Sequence, residues 1–377
     1  MQIRYFITTI LLVCFAASAY AQVEKAEAEI QNIMKELNVV GLSVAVVKNN
    51  EIIYTHAFGQ KDIEKNIPLQ ENDVFRIASI SKSFCATSIM QLAEARKLSL
   101  DDDFSDLVGF KVRNPKYPET VITLKMVMSH TSSINDSQGY FNLDAINPAK
   151  GGSWEKCYSD YAPGKGYRYC NLNYNMVGAV IERLSGERID TYVKRHILDP
   201  LGLYGGYNTD SLDSARFSNL YEDDRAVGKY TTALTYVLRK DGFKDYQMGY
   251  STPQFSPTGG MKISAPDLAK YMTMHMNYGK YKKTRIISKR SSKLMQTKVS
   301  DDEAYGLALW TSDNLIPGKA MKGHTGSAYG LYSAMFFHPR EKFGIVVITN
   351  GCDPGYTNGM NTVLRKTINS LYTNLIK

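Results

Sequence analysis

The chain runs to 377 residues, 44% hydrophobic and 22% charged, with 28 Gly, 12 Pro and a formal net charge of +8. That balance excludes a disordered chain, a collagen-like repeat and a small disulfide scaffold, and the length gives one large domain or two intimate ones an ample core. No apolar run of spanning length follows the N-terminal segment, so the mature protein is expected not to cross a membrane.

The chain opens MQIRYFITTILLVCFAASAYAQ, with Arg4 at the positive end, an apolar run, and Ala19-Tyr20-Ala21 as a small-x-small site. This predicts a signal peptide over 1–21, cut after Ala21, and a periplasmic or secreted protein. A lipoprotein would need Cys14 as the acylated residue, and Val13 before it fits poorly. Export would allow disulfides among Cys85, Cys157, Cys170 and Cys352. Cys157 and Cys170 share a loop-rich stretch and could pair, but the sequence does not choose among the connectivities. No Cys-x-x-Cys or His-x-x-x-His spacing suggests a metal site.

Glu24 to Leu37 predicts a helix with Ala26, Ile30, Ile33 and Leu37 on one face. GLSVAVVKNNEIIYTHAFG then predicts a hairpin about Asn49-Asn50. FRIASISKSF follows, with Ser79-x-x-Lys82 at the head of a helix marked by Cys85, Ile89 and Leu92. One turn separates Ser79 from Lys82, which puts them on one face. Free N–H groups and the positive helix end suit a nucleophile attacking a carbonyl, and they disfavour the Lys82 ammonium. Alone, the pattern is more often a Ser cap beside a surface Lys. Asp101 to Asp103 read as caps, and His130 as structural. A loop from Asn135 to Tyr169 carries Tyr140, Phe141, Trp154, Tyr158, Tyr161 and Tyr167, and suits either a functional cover or self-packing.

PGKGYRYCNLNYN brings Tyr169 and Asn171, two apart and so on one side of an extended stretch. A phenol near a lysine can share its proton, and an amide can both donate to and accept from a substrate. The next helix carries Leu172, Met176, Val180 and Leu184 on one face, with Gly186 as its C-cap. Met272, Met274 and Met276 around His275 read as helix packing. The seven basic residues from Lys280 to Lys293 read as a solvated face, with no nucleic-acid fold around them. MKGHTGSAYGLYSAMFF places His324-Thr325-Gly326 at the head of an apolar strand, with Gly326 leaving room for a substrate backbone. A second hairpin and a helix through Ile368 and Leu371 close the chain. Strands at both ends and helices between predict an α/β fold. One antiparallel sheet lobe would form from 22–78 and 290–377, a mainly helical lobe from 79–289, and a cleft would lie at their junction.

Taken in order, S-x-x-K, Y-x-N and H-T-G closely resemble the serine β-lactamase and penicillin-binding-protein superfamily, in its class C β-lactamase, DD-peptidase and esterase branch. ITLKMVMSHTSSI, HILDPLGL, SPTGGMKISAPDLAKYM and YGLALW resemble the same branch, so the likeness covers nearly all of the mature chain. It implies a β-lactamase/transpeptidase-like fold and acyl transfer without a cofactor. Ser79 would be the acylated nucleophile, with Lys82 and Tyr169 as general base and acid. Asn171 would orient the acyl side. His324 and Thr325 would line the pocket and meet a carboxylate or other polar group, Gly326 would admit the substrate backbone, and the N–H groups of Ser79 and Ser327 would form the oxyanion hole. Two departures stand out: His324 replaces the lysine of class C β-lactamases, and Cys170 sits where Ser or Ala is usual. A mostly neutral His anchors a carboxylate poorly, which favours esterases, peptidases and acyltransferases over an efficient β-lactamase. The expected activity is an exported serine hydrolase acting on small-molecule or peptide esters or amides. The alternatives are a DD-carboxypeptidase, a D-aminopeptidase, a weak β-lactamase, or a non-catalytic sensor of cell-wall peptides or β-lactams.

Overall fold

The structure is a computed structural model that describes residues 20–224, 228–233, 236–237, 240–300 and 303–377. The expected leader, 1–21, lies outside the described residues except for Tyr20 and Ala21, which begin helix α1 (20–36). Among the described residues no helix is long and apolar enough to cross a membrane.

A seven-stranded sheet joins the two ends of the chain. Its strands are β1 (Gly41–Lys48), β2 (Glu51–Asp62), β3 (Ile67–Pro68), β4 (Trp310–Ile316), β5 (Lys319–Ala328), β6 (Leu331–His338) and β7 (Phe343–Thr349), in the order β4-β5-β6-β7-β1-β2-β3. Neighbouring strands are antiparallel throughout, and β1 pairs with β7 from Leu42 opposite Thr349 to Lys48 opposite Phe343. The expected hairpin turn is present: Asn49 and Asn50 have φ of 54° and 71°, a conformation that Asn tolerates better than most residues.

The apolar run of β1 is explained by burial on both faces. Leu42, Val44 and Val46 pack with Ile30 and Ile33 of α1 and with Val363, Leu364 and Ile368 of the C-terminal helix Thr362–Leu371. Ala45 and Val47 face the opposite way, into the larger core that holds the helical region. There α2 (Ser81–Glu94) packs against α3 (Asn171–Ser185). Both were expected to show one apolar face. Instead Ser81 to Met90 and Leu172 to Glu182 are buried without interruption. Neither helix borders solvent along its middle, so the small and polar residues between the apolar ones are buried too. Gly186 ends α3 with φ of 74°, the left-handed C-cap its position predicts.

One boundary differs from the expected lobes. The helix α4 (Ala265–Met276), assigned by sequence to the helical part, packs against β1, β6 and β7. Its methionines 272, 274 and 276 and His275 are buried, which fits the packing role read from the sequence. The basic side chains from Lys280 to Lys293 are exposed, as a solvated face requires. Asp103 caps Phe104–Val108 by accepting from Ser105 N. Cys85, Cys157, Cys170 and Cys352 are all buried free thiols.

Candidate active site

Ser79 lies in a 3-10 turn, Ala78–Ile80, directly ahead of α2. Ala78 before it has φ of 46°, a left-handed conformation that costs a residue with a Cβ on the order of 1–3 kcal/mol. The surroundings hold it there. Ser333 Oγ on β6 donates to Ile77 O at 2.9 Å, Ile77 N donates to Met261 O at 3.0 Å, and Met261 N donates to Ser81 Oγ at 3.0 Å. Strand β5 runs close beside the turn. A Cβ on Gly326 would fall 2.3 Å from Ile77 O and 2.5 Å from Ser333 Oγ, so only glycine fits. The motif glycine thus serves the seat of Ser79 itself.

Lys82 is fully buried one turn into α2. Its Nζ contacts Ser79 Oγ at 3.1 Å, Asn171 Oδ1 at 2.9 Å and Thr258 O at 3.0 Å. Burial lowers its pKa to about 7, against an opposing pull from Cys85, Asp136 and Cys170. Loss of water around the amine is thus the main cause of the lowered pKa, where the sequence pointed to the helix field. Near neutrality a large fraction of Lys82 is a free amine able to take a proton from Ser79. The Tyr169 ring centroid lies 4.9 Å from Nζ. Burial raises the Tyr169 phenol well above its usual range, with the nearby Ser79 hydroxyl pulling the other way. Its hydroxyl is buried without a hydrogen bond of ordinary geometry. Tyr169 is thus a neutral phenol with a proton to donate, and not the phenolate that a neighbouring lysine could have produced.

Asn171 is held by a residue that the motifs do not contain. Cys170, at the N-cap of α3, supplies no side-chain cap. Asp136 reaches in from the long loop instead. Its carboxylate accepts from Asn171 N at 2.8 Å, Asn171 Nδ2 at 3.0 Å, Leu172 N at 2.9 Å and Cys170 Sγ at 3.1 Å. A carboxylate at this helix end satisfies orphan donors and meets the positive dipole. It also fixes the amide of Asn171, so that Oδ1 faces Lys82 Nζ and Thr258 Oγ1, the latter at 3.0 Å. Asp136→Asn is expected to cost about 1 kcal/mol of stability and to lower kcat by roughly ten- to a hundredfold through misplacement. The Asp136 charge also pulls the Lys82 pKa upward, against the larger effect of burial. Its neutralisation should lower the Lys82 pKa and carry the acidic limb of kcat/KM to lower pH. A pH-rate profile in which that limb stays put would leave Asp136 a helix cap alone.

His324 is buried, with both ring nitrogens engaged. Nδ1 lies 2.5 Å from Thr325 O, which can only accept, so the ring proton is on Nδ1. Nε2 then accepts from Tyr305 OH at 2.9 Å. Burial, and next the Lys82 charge, push its pKa down to about 4. The expected contact with a substrate carboxylate is therefore not available to a charged or freely donating His324; the residue presents a neutral ring. His130 plays the structural part read from sequence. Its Nδ1 accepts from Cys170 N at 3.2 Å, and its ring centroid lies 4.3 Å from that of Tyr169.

The cleft has two arms that share Ser79, Tyr169 and Ser327. The larger, about 530 Å³, is lined by Asn171, Thr258, Tyr140, Phe141, Arg76 and Glu222. The smaller, about 460 Å³, runs past His324 and Thr325 to Tyr167, Tyr305 and Trp310. Thus the structure gathers Ser79, Lys82, Tyr169 and Asn171 in direct contact, and places His324, Thr325, Gly326 and Ser327 along the strand beside them. Tyr140 and Phe141 of the aromatic loop wall the larger arm, while Tyr158 and Trp154 pack on each other at 6.2 Å, so the loop both covers and self-packs. Among the described residues no cluster of His, Cys, Asp and Glu could hold a metal ion.

The profile of the Beta-lactamase family matches residues 26–367. Protein flp of Staphylococcus aureus (strain MRSA252) is 24% identical over 327 residues, covering 85% of this chain and 61% of that protein. The chain thus spans less than two thirds of the length of this relative. Among solved structures, the octameric penicillin-binding protein homologue from Pyrococcus abyssi superposes with a TM-score of 0.73 at 26% identity, over 94% of this chain and 78% of that one. EstCE1, described as a hydrolase with promiscuous acyltransferase activity, superposes with a TM-score of 0.72 at 20% identity, over 93% of this chain and 99% of that one.

Proposed function

The chain belongs to the Beta-lactamase family, and from that premise we propose that it is an exported serine hydrolase that passes acyl groups through an ester on Ser79. The observation that carries this reading is the buried Lys82 amine, its pKa lowered to about 7, at 3.1 Å from Ser79 Oγ. The free amine takes the Ser79 proton as Oγ attacks the substrate carbonyl. The resulting oxyanion would lie between the N–H groups of Ser79 and Ser327. When the carbonyl reforms, the bond to the leaving alcohol or amine breaks. That group takes a proton from Tyr169, and the Lys82 ammonium returns one to the phenol. Water, or a second alcohol or amine, then attacks the acyl-enzyme with the same groups working in reverse.

Ester and amide substrates fit this chemistry, and the neutral His324 favours them over β-lactams, whose carboxylate it has no charge to hold. The leader read over 1–21 supports export. A reactive fluorophosphonate tests the reading. It should add to the peptide carrying Ser79, seen by mass spectrometry of folded protein, and ester turnover should stop in proportion. Folded protein with no adduct would defeat the proposal. A stable adduct from an ordinary ester, without turnover, would assign the site to a sensor instead.

A further inference from the structure

The two arms of the cleft carry different charges. The larger is lined by Arg76 and Glu222, one of each sign. Among the described residues lining the smaller arm, Glu303 bears the single full charge. The rest of that lining is aromatic or neutral: Tyr167 and Trp310 are partly exposed aromatic side chains, Tyr305 lies buried beside them, and Thr325 and Asn358 supply hydroxyl and amide groups. Tyr167 and Tyr305 stand with ring centroids 5.9 Å apart and form a continuous wall. Burial raises both phenols, so they stay neutral. His324, where a cation would help an anionic substrate, is neutral and already bonded at both nitrogens.

A carboxylate entering this arm would meet Glu303 and find no described basic side chain in the lining. A cation would meet the same carboxylate beside the partly exposed aromatic side chains of Tyr167 and Trp310, the combination that recognises alkylammonium groups. Asn171, read as orienting the acyl side, lines the larger arm, which leaves the smaller arm to the leaving group. We propose that the smaller arm binds the leaving group and selects an alcohol or amine that carries a cationic amine over one that carries a carboxylate. This rests on the hydrolase reading above. The reaction is ordinary acyl transfer: ester and water give acid and alcohol, and the cationic group takes no part in bond making.

Three butyrate esters test it: the 2-(trimethylammonio)ethyl ester, its neutral isostere the 3,3-dimethylbutyl ester, and the ester of glycolic acid with a free carboxylate. A fourth compound, the 3,3-dimethylbutyl ester of trimethylammonioacetic acid, places the cation on the acyl side. The expected order of kcat/KM is cationic alcohol, neutral, carboxylate, with roughly three- to tenfold between the first two. Glu303→Gln should bring the cationic-to-neutral ratio toward one, and Glu303→Lys should reverse the order of the cationic and carboxylate esters. A wild-type protein that prefers the neutral or carboxylate ester overturns the proposal. So does a ratio unmoved in both variants, or a gain only when the cation sits on the acyl side. In each of these cases Ser79-dependent turnover persists and the hydrolase reading survives. Absence of Ser79-dependent turnover with all four esters defeats both.

Discussion

Ser79→Ala is expected to reduce turnover of any ester accepted by the wild-type protein by at least about a thousandfold, to the level that binding and oxyanion contacts alone provide. The prediction is sharp because the hydroxyl carries little of the fold. Lys82 Nζ would lose one of three partners and keep Asn171 Oδ1 and Thr258 O. The strained turn is anchored by Ser333, Met261 and Ser81, none of which uses the Ser79 side chain. The Ser79 side chain caps neither its own turn nor α2, so stability should change by less than about 1 kcal/mol. The measurement is kcat/KM with an aryl ester, paired with thermal unfolding of the same preparations. Activity that survives at a tenth of wild type or more, in a protein that unfolds normally, would mean that another group attacks the substrate.

The parts of this molecule legible in the sequence are those set by short-range rules. The β1–β2 hairpin was readable because Asn49-Asn50 supplies two left-handed residues between apolar runs, and the end of α3 because Gly186 is the residue such a cap demands. Ser79, Lys82, Tyr169 and Asn171 were readable as an ordered set of motifs, and the structure brings them into contact. What escaped the sequence depends on the path of the chain in space. Asp136 sits in a loop with no periodicity, and its role as cap to α3 exists only because that loop folds back over residue 171. Thr258, whose carbonyl meets Lys82, and Tyr305, which fixes His324, lay within stretches noted for family likeness, but nothing in their residue types announced the contacts. The placement of α4 failed for the same reason. An amphipathic pattern says that a helix covers something apolar and not which lobe provides it. The continuous burial of α2 and α3 shows the converse, since polar residues between apolar ones suggested solvent where neighbouring chain lies instead.

Lys82→Met is the second large effect, and it separates the base from the nucleophile. Methionine nearly matches the volume of the lysine stem and takes no proton. The amine's donor contacts with Asn171 Oδ1 and Thr258 O would be lost, at about 1–3 kcal/mol if the carbonyl is left unpaired. Relief from burying an amine opposes that cost, so the variant should fold. Its acylation rate should fall by about a hundredfold or more. The pH dependence tells whether that loss is chemical. In the wild type the amine must be free to act, so kcat/KM should be level above the lowered pKa of about 7 and fall as acid protonates Lys82 below it. Tyr169 titrates far above this range and His324 near 4, so neither produces a limb close to neutrality. The limb should therefore vanish in Lys82→Met, leaving a low and flat rate. A variant that is slow but keeps the limb near neutrality would show that a different group supplies the base, with Lys82 acting only to hold Ser79 and Asn171 in place.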